Sequence, residues 1–219
     1  LIKTLQSSFP IPLIHIWHKD LGFRKSIILN HAVRSSSGSY IIQIDGDVIV
    51  NKHFIKDHLS IAERGTFVRG TRAHLAKALL PNIFQTKETD FTFLSKGVVN
   101  RFNALRLPAL SFLFQKKSTN SQSVRGSNLA FWKSDYVLVN GYNNDLLGWG
   151  HEDEELAVRF VNNGILKKTV KLKAVQFHLY HEEASRDQEP IHTGILDITR
   201  SQKLKTPANG YAQAINITE

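Results

Sequence analysis

Cysteine is absent from the 219 residues, so the chain has neither a disulfide framework nor a thiolate metal site. That suits a reducing compartment. Methionine is absent too: the chain begins Leu1-Ile2-Lys3 and reads as a fragment. No apolar stretch approaches the ~20 residues of a membrane span, and no signal peptide is visible. There is no internal repeat. There is no Gly-x-Ser-x-Gly, which leaves a covalent acyl mechanism without support, and no glycine-rich phosphate loop. With 42% hydrophobic residues a sizeable core can form, and disorder is not expected for most of the chain.

The formal net charge is +9. It suits nucleic acid, an anionic membrane surface or a phosphorylated ligand, or else only a solvated basic surface. The cations are scattered, with Lys116-Lys117 in one stretch and Lys167-Lys168, Lys171 and Lys173 in another. No run reaches the length of a nucleic-acid arm.

Hydrophobic patterning predicts alternating strands and helices in the first half. Leu13–Trp17 reads as a strand, Phe23–Val33 as a helix, Tyr40–Ile44 as a buried strand, Asn51–Glu63 as a helix and Phe67–Gly70 as a strand. This order points to an α/β domain with a largely parallel sheet, whose ligands sit at the carboxyl ends of the strands. Further on, Ala73–Leu80 reads as a helix interrupted by Pro81. Residues 91–113 are apolar without a period, and Gln115–Ser123 reads as a mobile polar loop. Leu129–Trp132 reads as a strand and Glu154–Val161 as a helix stopped at Asn162-Asn163-Gly164. Val170–Phe177 alternates and reads as a strand.

Two clusters carry chemistry. Asp45-Gly46-Asp47 follows the strand at Tyr40–Ile44 and sets two carboxylates close together, as hard divalent cations require. An ordinary Asp-Gly turn explains the same residues. Gly148-Trp149-Gly150-His151-Glu152-Asp153-Glu154-Glu155 packs four acids behind a glycine turn. A helix N-terminus tolerates acids, but that does not explain a Trp between two glycines, which is suited to stack on a sugar face. A neighbouring carboxylate is then a candidate general base towards a sugar hydroxyl. His178 and His181 are candidate metal ligands only if the fold brings them near Asp47. Arg24 is either a diphosphate partner or one half of a surface salt bridge.

The run Asp20-Leu21-Gly22-Phe23-Arg24-Lys25, Asn30, Tyr40-Ile41-Ile42 and Asp45-Gly46-Asp47 resembles the nucleotide-sugar domain of family 2 glycosyltransferases of the GT-A fold. The run Asn140-Gly141-Tyr142-Asn143 with Gly148-Trp149-Gly150-His151-Glu152-Asp153 resembles the segment shared by β-1,4-galactosyltransferases and chondroitin-polymerase-like enzymes. The likeness extends over residues 13–186, and its Gly-Trp-Gly-x-Glu-Asp part is the more specific.

The resemblance implies a Rossmann-like GT-A domain over 1–219. Within it, 1–70 would bind the nucleotide sugar, 71–123 would be a variable acceptor-side insertion, 124–186 the galactosyltransferase-like catalytic segment and 187–219 a C-terminal extension. Roughly 40 to 50 residues of a usual GT-A domain, about one β-α-β unit, would be lacking ahead of Leu1. The resemblance implies Mn²⁺ or Mg²⁺ on Asp47 with His181, Asp45 assisting and His178 as the alternative ligand. Asp20, Arg24, Asp45, Asp47, Arg125 and Gly126 would hold the donor, and Trp149 and Gly150 would lie against the sugars. Asp153 would be the catalytic base, with Glu152 orienting hydroxyls. His151 replaces a small residue common at that place in the galactosyltransferase motif.

The implied activity is inverting, metal-dependent transfer of a hexose or N-acetylhexosamine from a UDP-sugar to a saccharide or lipid-linked saccharide acceptor, in surface polysaccharide synthesis. The implied location is cytoplasmic or peripheral on the inner face of the plasma membrane, with no nucleic-acid partner. The rival classes are a metal-dependent nucleotidyltransferase and a non-catalytic carbohydrate- or nucleic-acid-binding module.

Overall fold

The computed structural model describes residues 2–182 and 185–214. In chain order the elements are helix α1 (Ile2–Ser8), α2 (Lys25–Ser35), strands β1 (Tyr40–Gln43) and β2 (Val48–Val50), α3 (Phe54–Ile61), β3 (Thr66–Arg69), β4 (Ala73–Leu75), α4 (Leu80–Thr86), β5 (Val98–Val99), β6 (Lys116–Ser118), β7 (Leu129–Trp132), α5 (Lys133–Leu138), α6 (Glu152–Asn162), β8 (Leu166–Thr169), β9 (Gln176–His178) and α7 (Glu189–Ser201). None of the described helices is long and apolar enough to cross a membrane.

Two mixed sheets form, ordered β1-β7-β3-β8-β6 and β2-β9-β4-β5. Only β3–β8 and β4–β9 pair in parallel among the described strands; antiparallel pairs are more numerous than the strand–helix alternation predicts. Strand β7 runs antiparallel to both β1 and β3, and β8 runs parallel to β3. The carboxyl ends of β1, β3 and β8 and the amino end of β7 therefore share one edge. The Asp45–Asp47 loop, Gly70–Arg72, Lys171 and Arg125–Asn128 all emerge there, where α/β sheets place their ligands.

Helix α2 buries Ser26, Ile27, Asn30 and Val33, the stripe expected of one helical face. It packs on the main core, with Phe67, Phe131, Tyr136, Tyr142, Leu156 and Phe160. Asn30 ties that core together: its Nδ2 donates to Tyr142 O at 2.9 Å and to Asn144 Oδ1 at 2.8 Å, and its Oδ1 accepts from the Tyr136 hydroxyl at 2.5 Å. Gly141 sits at φ 61 directly against this amide, where a Cβ would come within 2.3 Å of Asn30 Oδ1. The Asn-Gly-Tyr-Asn run and Asn30 are thus parts of one buried network.

Several elements depart from their patterning. Leu13–Trp17 is not a strand: Ile14 and Trp17 are exposed and no described strand pairs with the run. Ala73–Leu80 splits into β4, a 3₁₀ turn and the start of α4, and Pro81 falls in the first turn of α4, where its missing N–H costs nothing. The polar 115–123 segment contributes edge strand β6, with Lys117 opposite Lys168. Both ammonium groups reach the same carboxylate, Glu63, which offsets the like-charge pairing. Val170–Phe177 is not continuous; bends at 172–174 separate β8 from β9. The 187–219 extension contains α7, which packs along α6 and buries His192, Leu196 and Thr199 at helical spacing.

Candidate metal and sugar-transfer site

Strand β2 pairs with β9, and the backbone of Leu179 continues the ladder by donating to Asp47 O at 2.9 Å. This pairing delivers residues 178–181 to the Asp-Gly-Asp loop. His178 Nε2 lies 3.4 Å and His181 Nε2 3.1 Å from Asp47 Oδ2. One ligand atom from each of the three residues lies within 4.8 Å of the others. Asp47 Oδ1 is buried with no hydrogen-bond partner among the described residues. An orphaned carboxylate oxygen beside two imidazoles fits a divalent cation. Two nitrogens and one carboxylate form a softer donor set than the all-oxygen sites of Mg²⁺ and suit a first-row transition-metal dication. Burial, with help from Arg72 and His181, holds the His178 imidazole below its usual pKa although Asp47 opposes this. His178 is thereby kept towards the neutral, ligating form.

Asp45 does not join that group. It turns instead to Lys25 Nζ, 3.5 Å away, and the same ammonium lies 3.4 Å from Glu152 Oε1 and 3.3 Å from Asp153 Oδ2. Burial works against the charged lysine, but the three carboxylates outweigh it and hold its pKa above the usual value. Lys25 therefore links the Asp-Gly-Asp loop to the start of α6.

Helix α6 begins two residues earlier than its apolar pattern, at Glu152, and its periodicity sends each of the four acids to a different environment. Asp153 faces the site, where its Oδ2 accepts from Gly126 N at 2.7 Å and its Oδ1 from the Tyr142 hydroxyl at 2.6 Å. Glu152 is buried and accepts from Gly150 N at 3.0 Å; burial, and then Asp153, push its carboxyl pKa up while Lys25 opposes them. Glu155 points into the core and forms a two-pronged pair with Arg159, which has no exposed surface. Glu154 lies at the surface, 2.9 Å from Arg200.

Gly126 is required by close approach. A Cβ there would fall 2.3 Å from Gln43 Nε2 and 2.6 Å from Asp153 Oδ1. Its role is thus to let the backbone donate to Asp153. The neighbouring Arg125 lines a cavity with Arg69 and Arg72. Trp149 is 37% exposed, on a turn whose flanking glycines take φ 98 and φ 117. The Arg186 guanidinium lies 5.1 Å from its ring centroid. His192 of α7 braces this turn, with its ring nitrogens 2.6 Å from Gly150 O and 3.0 Å from Leu147 O.

Asp20 and Arg24 are used locally. Asp20 Oδ1 accepts from Gly22 N, and the Arg24 guanidinium donates to Lys19 O. Among the described residues, no contact ties either to the metal group; Lys25, one residue on, is the cation that reaches the acids. Sequence reading missed Lys25, Tyr142 as the partner of Asp153, and His192. The signal for Lys25 was its position at the first turn of a helix packed beside the Asp-Gly-Asp strand.

Residues 110–182 match the family described as the N-terminal domain of galactosyltransferase. Over 57 residues the chain is 28% identical to human chondroitin sulfate N-acetylgalactosaminyltransferase 1, a match covering 26% of this chain and 10% of that enzyme. Among solved structures it resembles GalNAc-T7 with UDP, GalNAc and Mn²⁺, with a TM-score of 0.58 at 12% identity over 94% of this chain. It also resembles a mannosyltransferase from Pyrobaculum calidifontis in complex with GDP-Man and Mn²⁺, with a TM-score of 0.50 at 12% identity over 97% of this chain. The chain spans 42% and 59% of those two structures' chains. Residues 110–182 therefore match a galactosyltransferase family segment, on a chain whose fold is that of the GT-A glycosyltransferases it resembles.

Proposed function

We propose that this chain is the catalytic domain of an inverting, Mn²⁺-dependent glycosyltransferase that moves a hexose or N-acetylhexosamine from a UDP-sugar to a saccharide acceptor. The observation that carries this reading is the meeting of Asp47, His178 and His181, with the orphaned Asp47 Oδ1, beside the Lys25-linked acids of α6. Structural relatives holding Mn²⁺ with UDP or GDP-mannose support a metal and a nucleotide-sugar donor.

Asp47, His178 and His181 would hold the cation, which supplies Lewis-acid stabilisation to a departing diphosphate. The acceptor hydroxyl forms the new C–O bond at the anomeric carbon as the bond to UDP breaks. Asp153 takes the hydroxyl proton, the general-base role. Gly126 N and Tyr142 hold its carboxylate in one orientation, so little reorganisation is needed when the proton arrives. Lys25 lies between three carboxylates, those of Asp45, Glu152 and Asp153, and offsets part of their mutual repulsion. Trp149 offers an exposed ring face beside these acids for a sugar.

The test is calorimetric titration of UDP with and without Mn²⁺. Binding should require the metal and weaken by more than about 100-fold in Asp47→Ala, given that even outer-shell changes cost 10–100-fold. Metal-independent binding, or binding unchanged in Asp47→Ala, would remove Asp47 from the site.

A further inference from the structure

A cavity of about 330 Å³ opens beside the site, at the shared edge where β3, β7 and β8 end. Its charged lining is entirely basic: Arg69, Arg72, Arg125 and Lys171, with His74, and without Asp or Glu. None of the four arginine and lysine side chains has a carboxylate partner among the described residues. Arg69 Nε donates to Ser123 O at 3.0 Å; Arg72 Nη1 donates to Ser127 Oγ at 3.5 Å, and its Nε is buried with no partner among the described residues. Burial and the charge of Arg125 both press on the guanidiniums of Arg69 and Arg72 and lower their pKa. Only the more distant Asp45 and Asp47 offset the charge of Arg72; cations crowded with no acid among them are costly, and a bound anion relieves that cost.

The cavity adjoins the metal group. His74 lines it and packs against His178 with ring centroids 5.4 Å apart. Arg72 is within electrostatic reach of Arg125 and of the Asp45 and Asp47 carboxylates. The floor is rigid: Asn128 donates to Thr71 O at 2.8 Å and to Ala174 O at 2.9 Å, and Gly70 lies so close that a Cβ would meet the Asn128 side chain at 2.3 Å. The volume lies within the ~300–1,000 Å³ of small-molecule sites, more than a phosphate group alone needs. In the transferase reading the donor's diphosphate would lie on the metal group, which would leave the cavity for another anion. Arginine forks match carboxylate and phosphate, and Asn100 and Ser127 add uncharged polar groups suited to sugar hydroxyls.

We propose that this basic cavity is the subsite for an anionic group, carboxylate or phosphate, on the acceptor saccharide. Calling the ligand an acceptor rests on the transferase reading above, whereas the anion site itself does not.

The experiment titrates the whole chain with a hexuronate-terminated disaccharide, a disaccharide ending in a hexose phosphate, and the carboxyl-reduced neutral disaccharide. At least one charged probe should bind about tenfold or more tightly than the neutral one, and the tighter of the two identifies the anion. Arg69→Gln and Lys171→Gln should each weaken the charged probe by about three- to tenfold. Lys205→Gln, the same charge change on an exposed residue outside the cavity lining, should leave it within about twofold. Binding of UDP with Mn²⁺ should stay within about twofold in Arg69→Gln. Equal binding of charged and neutral probes overturns the proposal, as does an unchanged preference in both cavity variants. Parallel loss of UDP–Mn²⁺ binding in Arg69→Gln also overturns it, because the cavity would then serve the donor's diphosphate. Retained charge preference in a chain that never binds UDP with Mn²⁺ sinks the transferase reading and leaves the anion site standing.

Discussion

The two acidic stretches of this protein are treated in opposite ways. At the start of α6 every carboxylate has partners: Asp153 has Gly126 N, Tyr142 and Lys25, Glu152 has Gly150 N and Lys25, Glu155 has Arg159, and Glu154 has Arg200. In the loop after β1, among the described residues, Asp47 keeps one buried oxygen without a hydrogen-bond partner, and its other oxygen meets two histidines. A saturated carboxylate is a positioned one; a buried carboxylate oxygen left unsaturated bears a desolvation cost until a ligand arrives. The contrast separates groups the fold has finished from a group left for a cation, and it suggests why the helix acids position while the loop acid binds.

The largest effect should come from disabling the positioned acid without disturbing its neighbours. Asp153→Asn keeps one oxygen to accept from Gly126 N and turns its amide towards the Tyr142 hydroxyl, which can still donate to Gln43 Oε1, but it cannot take a proton. Transfer should fall by about 10²–10⁴-fold while metal-dependent UDP binding persists; normal turnover would reassign the base. A second variant attacks the buried pair behind it. Arg159→Ala leaves Glu155 charged in the core and strips Val139 O and Gly141 O of their donor. Roughly 3–5 kcal/mol of stability should be lost, read by denaturant unfolding. A loss below about 1 kcal/mol would mean that water or relaxation replaces the arginine.

His58 lies between the two extremes. Its Nε2 donates to Asn128 Oδ1 at 2.9 Å, while its Nδ1 is buried without a partner. Burial pushes the imidazole down to about 4 from 6.5, against the opposing pull of Asn128 and Asp57. In that window the unfolded chain binds the extra proton and the folded chain does not. Stability contributed by neutral His58 is therefore full above pH 6.5 and lost as the pH falls towards 4, on the order of 3 kcal/mol in all. Thermal unfolding across this range should show the slope in the native protein and a flatter one in His58→Phe; identical slopes would assign the acid lability elsewhere. The smallest expected effect is that of Tyr142→Phe. It removes one of the donors to Asp153 and should slow transfer by about tenfold, at a cost of about 1 kcal/mol in stability. If the rate does not change, Gly126 N and Lys25 alone orient the base.

Short-range pattern revealed the elements whose burial follows their own period. The stripe Ser26, Ile27, Asn30 and Val33, the buried β7 and the glycine stop after α6 are local consequences of side-chain spacing. The same logic failed where pairing depends on distant chain. Lys116–Ser118 is a strand because β8 and Glu63 await it, and Leu13–Trp17 is not one because no described strand does. The helix α7 went unread because its apolar stripe is short and interrupted by polar residues that α6 and the Gly-Trp-Gly turn accept. At the site, the acids were legible because carboxylates crowded behind glycines are unusual. Their partners were not, because Lys25 and Tyr142 are common residues made special only by what packs beside them.

The sequence by itself determined the α/β character, the two acidic clusters and the histidines that follow them, since residue type and spacing are properties of the chain alone. Only the tertiary structure decided which acid has which task. Asp45 and Asp47 differ by two positions, yet one meets a lysine from α2 and the other two histidines, one ending β9 and one three residues on. It also decided that Arg69, Arg72, Arg125 and Lys171, scattered over about 100 residues of a basic chain, surround a single cavity. Electrostatic environment depends on distance through space, and the order of residues along the chain does not contain that distance until β1, β3, β7 and β8 end on one edge.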